Sequence, residues 1–479
     1  MTRFIGRIDA LKELTDLLSL KTASMVILMG RRRIGKSRLI EEFCIGKKTY
    51  IFSGIPPTPQ TTAQSQRDEF AVQLHLQTGL PSVKADDWNN ILLLLAEKVK
   101  DGPVVIVFDE ISWMGSKDPD FLGKLKNAWD LHFKKNPKLI LILCGSVSSW
   151  IEKNIVNSTG YLGRPSLYMT LDELLLPECN EFWNKEGAKI SAYEKFKILS
   201  VTGGVPRYLE LINPRISAEE NIKRLCFSKN GPLVNEFEHI FSDIFSKRHE
   251  MYQKLVKEMV SSKITADQLT EKVGVTRTGS FDEYLDDLVL SGFVSKDYTW
   301  NLKTGEVSKL SHYRLKDNYV RFYLKYILPN KLKIEKNRFK GVSLSLLPGW
   351  QTIMGLQFEN LVINNHSSII RLLGIKPEEV IFDNPFFQRA TTRQPGCQFD
   401  YVIQTQFDTC YLFEIKFYKH PIGLAVITEM KEKISRLKTP PNISRRPILV
   451  HVNGVTDELL EAQYFSEIID FGQLLYYTL

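Results

Sequence analysis

Apolar positions from residue 1 to about 175 gather into short unbroken runs: Met25–Met29, Tyr50–Phe52, Val104–Phe108, Leu139–Cys144 and Leu167–Leu171. Stretches with helical spacing separate them. A strand that reads as a continuous apolar run is buried on both faces, so this alternation predicts an α/β domain with a parallel sheet flanked by helices. Residues 176–246 are mostly of helical pattern, punctuated by Gly203-Gly204, and predict a small helical lid. Over 247–316 the pattern changes to three helices, near His249–Ser261, Ala266–Val273 and Ser280–Leu290, and then two strands, Phe293–Tyr298 and Ser308–Leu315. With a turn at Lys303-Thr304-Gly305, that order predicts a winged helix. Residues 317–340 set Arg321, Lys325, Lys331, Lys333, Lys336, Arg338 and Lys340 against Glu335 alone and read as a basic connector. The last block, 341–479, opens with a helix near Gln351–Ile363. It continues through strands at Glu379–Phe382, Gln398–Thr405, Tyr411–Phe417 and Pro447–Val452, with a helix near Ala425–Leu437.

Composition changes this picture little. A chain of 479 residues needs more than one core, and 43% hydrophobic with 25% charged residues excludes a largely disordered or fibrous protein. The net charge of +8 fits a polyanionic partner such as DNA, and fits equally a protein that merely stays soluble. Six cysteines without a C-x-x-C pair, and histidines without ligand spacing, argue against a zinc site and for a reducing compartment. No apolar run approaches the roughly 20 residues that span a bilayer, and Met1-Thr2-Arg3-Phe4-Ile5-Gly6-Arg7 has no apolar region behind its charge. The expectation is a soluble cytoplasmic protein with no membrane contact.

The sharpest chemistry is Gly30-Arg31-Arg32-Arg33-Ile34-Gly35-Lys36-Ser37, between the run Met25–Met29 and the helical pattern Arg38–Phe43. The glycines let the backbone turn so that successive N–H groups and a helix N-terminus face phosphate. Lys36 neutralises the β- and γ-phosphates and Ser37 holds Mg²⁺. The segment Gly30 to Arg38 is therefore the candidate nucleotide-binding loop, with Arg31, Arg32 and Arg33 turned to solvent or to a neighbouring element. The run Val104–Phe108 ends in Asp109-Glu110, where Asp109 completes the Mg²⁺ coordination and Glu110 polarises the attacking water. An N-K-x-D guanine reader is missing, since Asn184-Lys185-Glu186-Gly187 lacks the aspartate. ATP with Mg²⁺ is the expected cofactor pair.

These motifs, in this order, resemble the archaeal-type ATPases of the signalling branch of the AAA-like P-loop superclass, often joined to a C-terminal nuclease-like domain. The resemblance implies that Phe4-Ile5-Gly6-Arg7 lies beside the adenine and that Ser146, ending Leu143-Cys144-Gly145-Ser146, senses the γ-phosphate. Tyr161-Leu162-Gly163-Arg164 matches a Gly-Arg element, and Gly203-Gly204-Val205-Pro206-Arg207-Tyr208-Leu209 a Gly-x-Pro lid segment that brings Pro206 to the nucleotide. Arg164 is then either a phosphate-facing or intersubunit arginine, which leaves room for a homo-oligomer, or a packing residue.

In the last block, alternation along Tyr411–Phe417 sets Glu414 and Lys416 on one strand face, with Asp400 at the head of another strand and Glu359 on a helix face expected to be buried. That order is similar to the PD-(D/E)xK nuclease fold. It implies a restriction-endonuclease-like domain in which Asp400 and Glu414 bind metal, Glu359 assists and Lys416 orients or deprotonates water. The same fold with Asp, Glu and Lys paired internally is a silent binding module, and that alternative stays open. The third helix carries Asp282, Glu283, Asp286 and Asp287, which repel phosphate, so either DNA is met through Lys296, Lys303, Lys309, Arg314 and Lys316 of the wing and through the connector, or this domain only packs on the ATPase. The competing expectation is a signalling or scaffold ATPase with a protein partner.

Overall fold

The computed structural model describes residues 3–81, 84, 86–146, 149–183, 189–245, 249–339, 341–392 and 394–476, leaving Lys340 and Asn184–Gly187 outside. The chain divides into two compact units, Met1–Glu173 and Leu174–Leu479.

In the first unit β1 (Ser24–Gly30), β2 (Thr49–Ser53), β3 (Val104–Asp109), β4 (Leu139–Gly145) and β5 (Leu167–Leu171) pair in parallel in the order β2-β3-β4-β1-β5. Each of the five apolar runs became a strand. All seven residues of β1 and of β4 are buried, as a sheet covered on both faces requires. Because β4 lies between β1 and β3, three strand ends stand side by side: Gly30, Gly145 and Asp109. One of the two edge strands, β2, is covered by the helix Ala63–Thr78. There Gln77, Gln73 and Gln66 each accept from and donate to one residue's backbone, at Ile51, Ser53 and Ile55 respectively. These side-chain amides stand in for a missing strand and blunt the edge.

The second unit holds the lid, three-helix, hairpin and C-terminal segments around a core that runs from Leu174 to Leu475, with a second cluster from Trp300 to Phe465. The helices His249–Glu258, Ala266–Val273 and Gly279–Leu290 precede an antiparallel hairpin, β6 (Val294–Trp300) with β7 (Val307–Leu315). The hairpin packs on a mixed sheet made of β8 (Val380–Gln388), β9 (Cys397–Thr405), β10 (Thr409–Ile415), β11 (Ser444–His451) and β12 (Glu467–Asp470), ordered β12-β11-β10-β9-β8. Trp300 stacks on Phe382 at 5.0 Å between centroids, and His312 meets Phe387 edge-on at 4.1 Å.

Two expectations are corrected here. The segment expected as a basic connector is a core helix at its start. Tyr319, Phe322, Tyr323 and Tyr326 recur at helical spacing and are buried, and Arg321 is buried with them, donating to Gln357 Oε1 at 2.9 Å and to Leu315 O at 2.6 Å. Apolar periodicity, not charge count, decided its place. Arg314, counted among the wing's cations, is only 4% exposed and forks onto Asp297 at 2.8 and 3.2 Å. Among the described residues, the basic side chains left exposed on these segments are Lys296, Lys303, Lys309, Lys333, Lys336 and Arg338, with Glu306 and Glu335 exposed among them.

The helix Trp350–Ile363 organises this unit. Gln357 Nε2 donates to Ser200 O of the helix Ala192–Thr202 at 2.8 Å and to Asn318 O at 2.7 Å, while Asn360 Nδ2 donates to Leu315 O at 2.9 Å. Both amides are fully buried, and each donates to backbone carbonyls of neighbouring segments.

Candidate functional site

The loop after β1 has little steric freedom. A side chain at Gly30 would meet Ile34 Cγ2 and Leu171 O at 2.9 Å, and Gly35 holds φ 95° as it caps the helix Lys36–Cys44. Buried Ile34 anchors the loop, and its carbonyl accepts from Arg7 Nη2 at 3.2 Å. The segment Phe4–Arg7 is pinned against the loop and the helix behind it, since the Phe4 ring lies 6.0 Å from the Arg38 guanidinium. Arg31 is buried on Glu173, the neighbouring element that the sequence had left unspecified.

Lys36 is 7% exposed, and its ammonium is hydrogen-bonded to two carbonyls, Gly30 O at 2.7 Å and Arg31 O at 3.3 Å. Carbonyls solvate a cation without cancelling it, so a full positive charge sits at the loop beside the positive end of a helix. Ser37 Oγ lies 3.5 Å from Asp109 Oδ2. A hydroxyl and a carboxylate are the hard oxygen donors that Mg²⁺ takes when phosphate oxygens and water fill its remaining positions, so these two residues fit the ion.

Glu110 follows in the left-handed region, φ 52° and ψ 50°, which costs a non-glycine residue about 1–2 kcal/mol. The neighbourhood fixes it there. Its N–H donates to Asp109 Oδ1 at 3.0 Å, its carbonyl accepts from Trp113 N at 2.8 Å, and a side chain on Gly54 would come within 3.0 Å of that carbonyl. Cys144, level with Asp109 on β4, is buried, and its thiol is pushed well above its ordinary range by burial and by the Asp109 charge. A neutral thiol here adds no charge to the site. Ser146 follows Gly145 at the end of the strand between the loop and the acids.

The structure thus brings together Gly30 through Arg38, Asp109, Glu110 and Ser146. Arg164 makes its hydrogen bonds to Asp130 of the helix Phe121–Leu131, at 2.7, 3.2 and 3.3 Å, and holds that carboxyl down at about 2. Pro206 opens the short helix Pro206–Leu209 in the second unit.

In that second unit lies a cleft of about 1000 Å³, with Asp400, Lys416, Lys433, Arg389 and Arg436 in its wall. Asp400 Oδ2 accepts from Ile415 N at 2.7 Å, and burial together with the nearby Glu359 and Glu414 charges raises its carboxyl to about 7. Glu414 is 1% exposed and held at both oxygens, by Lys416 at 2.9 Å and by Lys433 at 2.6 Å. Glu359 is paired with Lys263 at 2.7 Å. Sequence reasoning missed Lys433 and Lys263. The signal for Lys433 was its place four residues after Glu429, which reaches Lys416 at 2.9 Å from the same face of the helix Ala425–Arg436. For Lys263, in a loop far from Glu359 in sequence, no local signal existed.

The first unit's fold and loop chemistry define a P-loop nucleoside triphosphatase. More narrowly, residues 4–212 match the family described as an ATPase domain predominantly from Archaea. An uncharacterized protein of Methanocaldococcus jannaschii is 23% identical over 341 residues, 70% of this chain and 71% of its own. Among solved structures, a Walker-type ATPase of Pyrococcus abyssi is 15% identical with a TM-score of 0.49, covering 67% of this chain and 96% of its own. The ORC2 protein of Aeropyrum pernix, in its ADPNP and ADP complexes, is 14% identical with a TM-score of 0.41, covering 71% and 97%.

Proposed function

We propose that the protein hydrolyses ATP with Mg²⁺ in its first unit and couples nucleotide state to DNA held in the second. The observation that carries the first half is the juxtaposition of carbonyl-held Lys36, Ser37 and Asp109 with Glu110 fixed beside them. Lys36 and the N–H groups of the loop bind the β- and γ-phosphates. Ser37 and Asp109 hold the Mg²⁺, which supplies charge to the leaving phosphate when bound. Glu110 orients the attacking water and takes its proton, and Ser146 contacts the γ-phosphate. Arg164 joins them only by leaving Asp130, and Pro206 marks the lid segment that reports nucleotide state.

For the second half, the three helices and hairpin of 247–316 act as a winged helix and the block 341–479 as a nuclease-like domain. The support is the exposed lysines of the hairpin, Lys296, Lys303 and Lys309, beside a cleft whose wall carries Arg389 and Arg436. As arranged, Glu359, Asp400 and Glu414 do not form a metal-ligand set, because two of the three are closed by lysines. No group of three or more His, Cys, Asp or Glu able to hold a metal occurs among the described residues. We therefore derive no cleavage step. Those closures also support a second reading, an ATPase with a silent C-terminal domain and a protein partner.

Anisotropy titrations of duplex and single-stranded DNA across a salt series, with ATP, with ADP and without nucleotide, decide between the two. Affinity that falls steeply with salt and differs between nucleotide states supports coupling to DNA. Equal, salt-insensitive affinity in all three states removes DNA from the proposal.

A further inference from the structure

Behind the wall of the second-unit cleft, buried acids are paired with lysines in a charge lattice. Glu414 Oε1 is held by Lys416, which also reaches Glu429, while Glu414 Oε2 is held by Lys433 at 2.6 Å. Glu414 and Glu429 thus balance Lys416 and Lys433, and Glu359 balances Lys263 at 2.7 Å. Glu414 is almost wholly buried, so the Lys433 ammonium supplies the charge that desolvation of this carboxylate requires. A dication approaching Glu414 would have to displace it, and the displaced lysine would lose a short, partly buried ion pair. Lys433 lies on the helix Ala425–Arg436 and is 29% exposed, so its side chain can withdraw into the cleft without unfolding anything around it.

We propose that Lys433 is a built-in cation occupying the place of a divalent metal at Glu414, so that the second-unit site is closed to Mg²⁺ and Mn²⁺ until that ammonium withdraws. The inference rests on reading Asp400 and Glu414 as potential metal ligands. It gives the domain a resting state in which the carboxylates are present but shut. It also makes Lys433 a gating residue, distinct from Lys416, whose ammonium holds the other oxygen of Glu414 and is itself tied to Glu429.

The test is Mn²⁺ binding, followed by electron paramagnetic resonance and calorimetry, on the nucleotide-free full chain in a Lys36→Ala background that silences the first site. Lys433→Ala is expected to gain one Mn²⁺ bound at least about tenfold more tightly than in the parent. That ion is expected to vanish in Lys433→Ala/Glu414→Gln. Lys433→Met, which keeps the stem in place, should behave as Lys433→Ala does, and Lys433→Arg as the parent. A parent that already binds a Glu414-dependent ion as tightly as Lys433→Ala overturns the gate while leaving the metal-site reading intact. If neither protein binds an ion that depends on Glu414, the gate and the metal-site reading fall together.

Discussion

Two lysines, Lys36 and Lys433, show how differently the two units treat a positive charge. Lys36 is buried and rests on two neutral carbonyls, so its charge remains available to an incoming anion. Lys433 rests on Glu414, and its charge is already cancelled. The loop Gly30–Ser37 presents a cation that no carboxylate cancels, whereas at Glu414 the cation is already paired. Arg314 extends the contrast, since its guanidinium is spent wholly on Asp297 and Asn360 inside the core.

The largest effect that sharpens this comparison is on stability. Asp297→Ala leaves Arg314 buried without its carboxylate and should cost about 3–5 kcal/mol, read as a lower denaturation midpoint. Lys36→Ala, by contrast, removes no carboxylate partner. It should leave the midpoint of the nucleotide-free protein within about 1 kcal/mol of the parent while weakening ATP about 10- to 100-fold in a fluorescent-nucleotide titration. A Lys36→Ala protein that is strongly destabilised yet binds ATP normally would break the comparison.

The smallest effect concerns the Arg164–Asp130 pair. Arg164 lowers the Asp130 carboxyl to about 2, below its unfolded value near 3.9, so the pair's contribution is present above pH 4 and is lost as pH falls toward 2. Both side chains are partly exposed, so the loss is under about 1 kcal/mol, and Asp130→Asn should flatten it in acid unfolding curves. A slope that survives Asp130→Asn would assign the acid sensitivity elsewhere.

What the sequence revealed was local. The five apolar runs, the loop Gly30–Ser37 and the pair Asp109-Glu110 are contiguous, and each carries its own pattern, so the strands and the loop and acids at their ends were readable before folding. The strand carrying Glu414 was readable too, although it ends at Ile415 and leaves Lys416 just beyond it. What escaped depends on contacts between distant segments. Charge count suggested a solvated connector where Tyr319, Phe322, Tyr323 and Tyr326 form a buried stripe, and the burial of Arg314 depends on a partner in the facing strand and on Asn360. β12 is four residues, Glu467–Asp470, with acids at both ends, too short and too charged to show alternation. The lysines that close Glu414 and Glu359 lie 19 and 96 residues away, and only the folded chain brings them in.

We propose Glu110 as the base of an ATP hydrolysis site, held ready in its left-handed conformation. Single-turnover hydrolysis by Glu110→Gln, with ATP affinity measured on the same sample, tests it most directly. The expected result is ATP bound about as tightly as in the parent, with the chemical step slowed by about 10²-fold or more. Hydrolysis at the parental rate with ATP bound would contradict it.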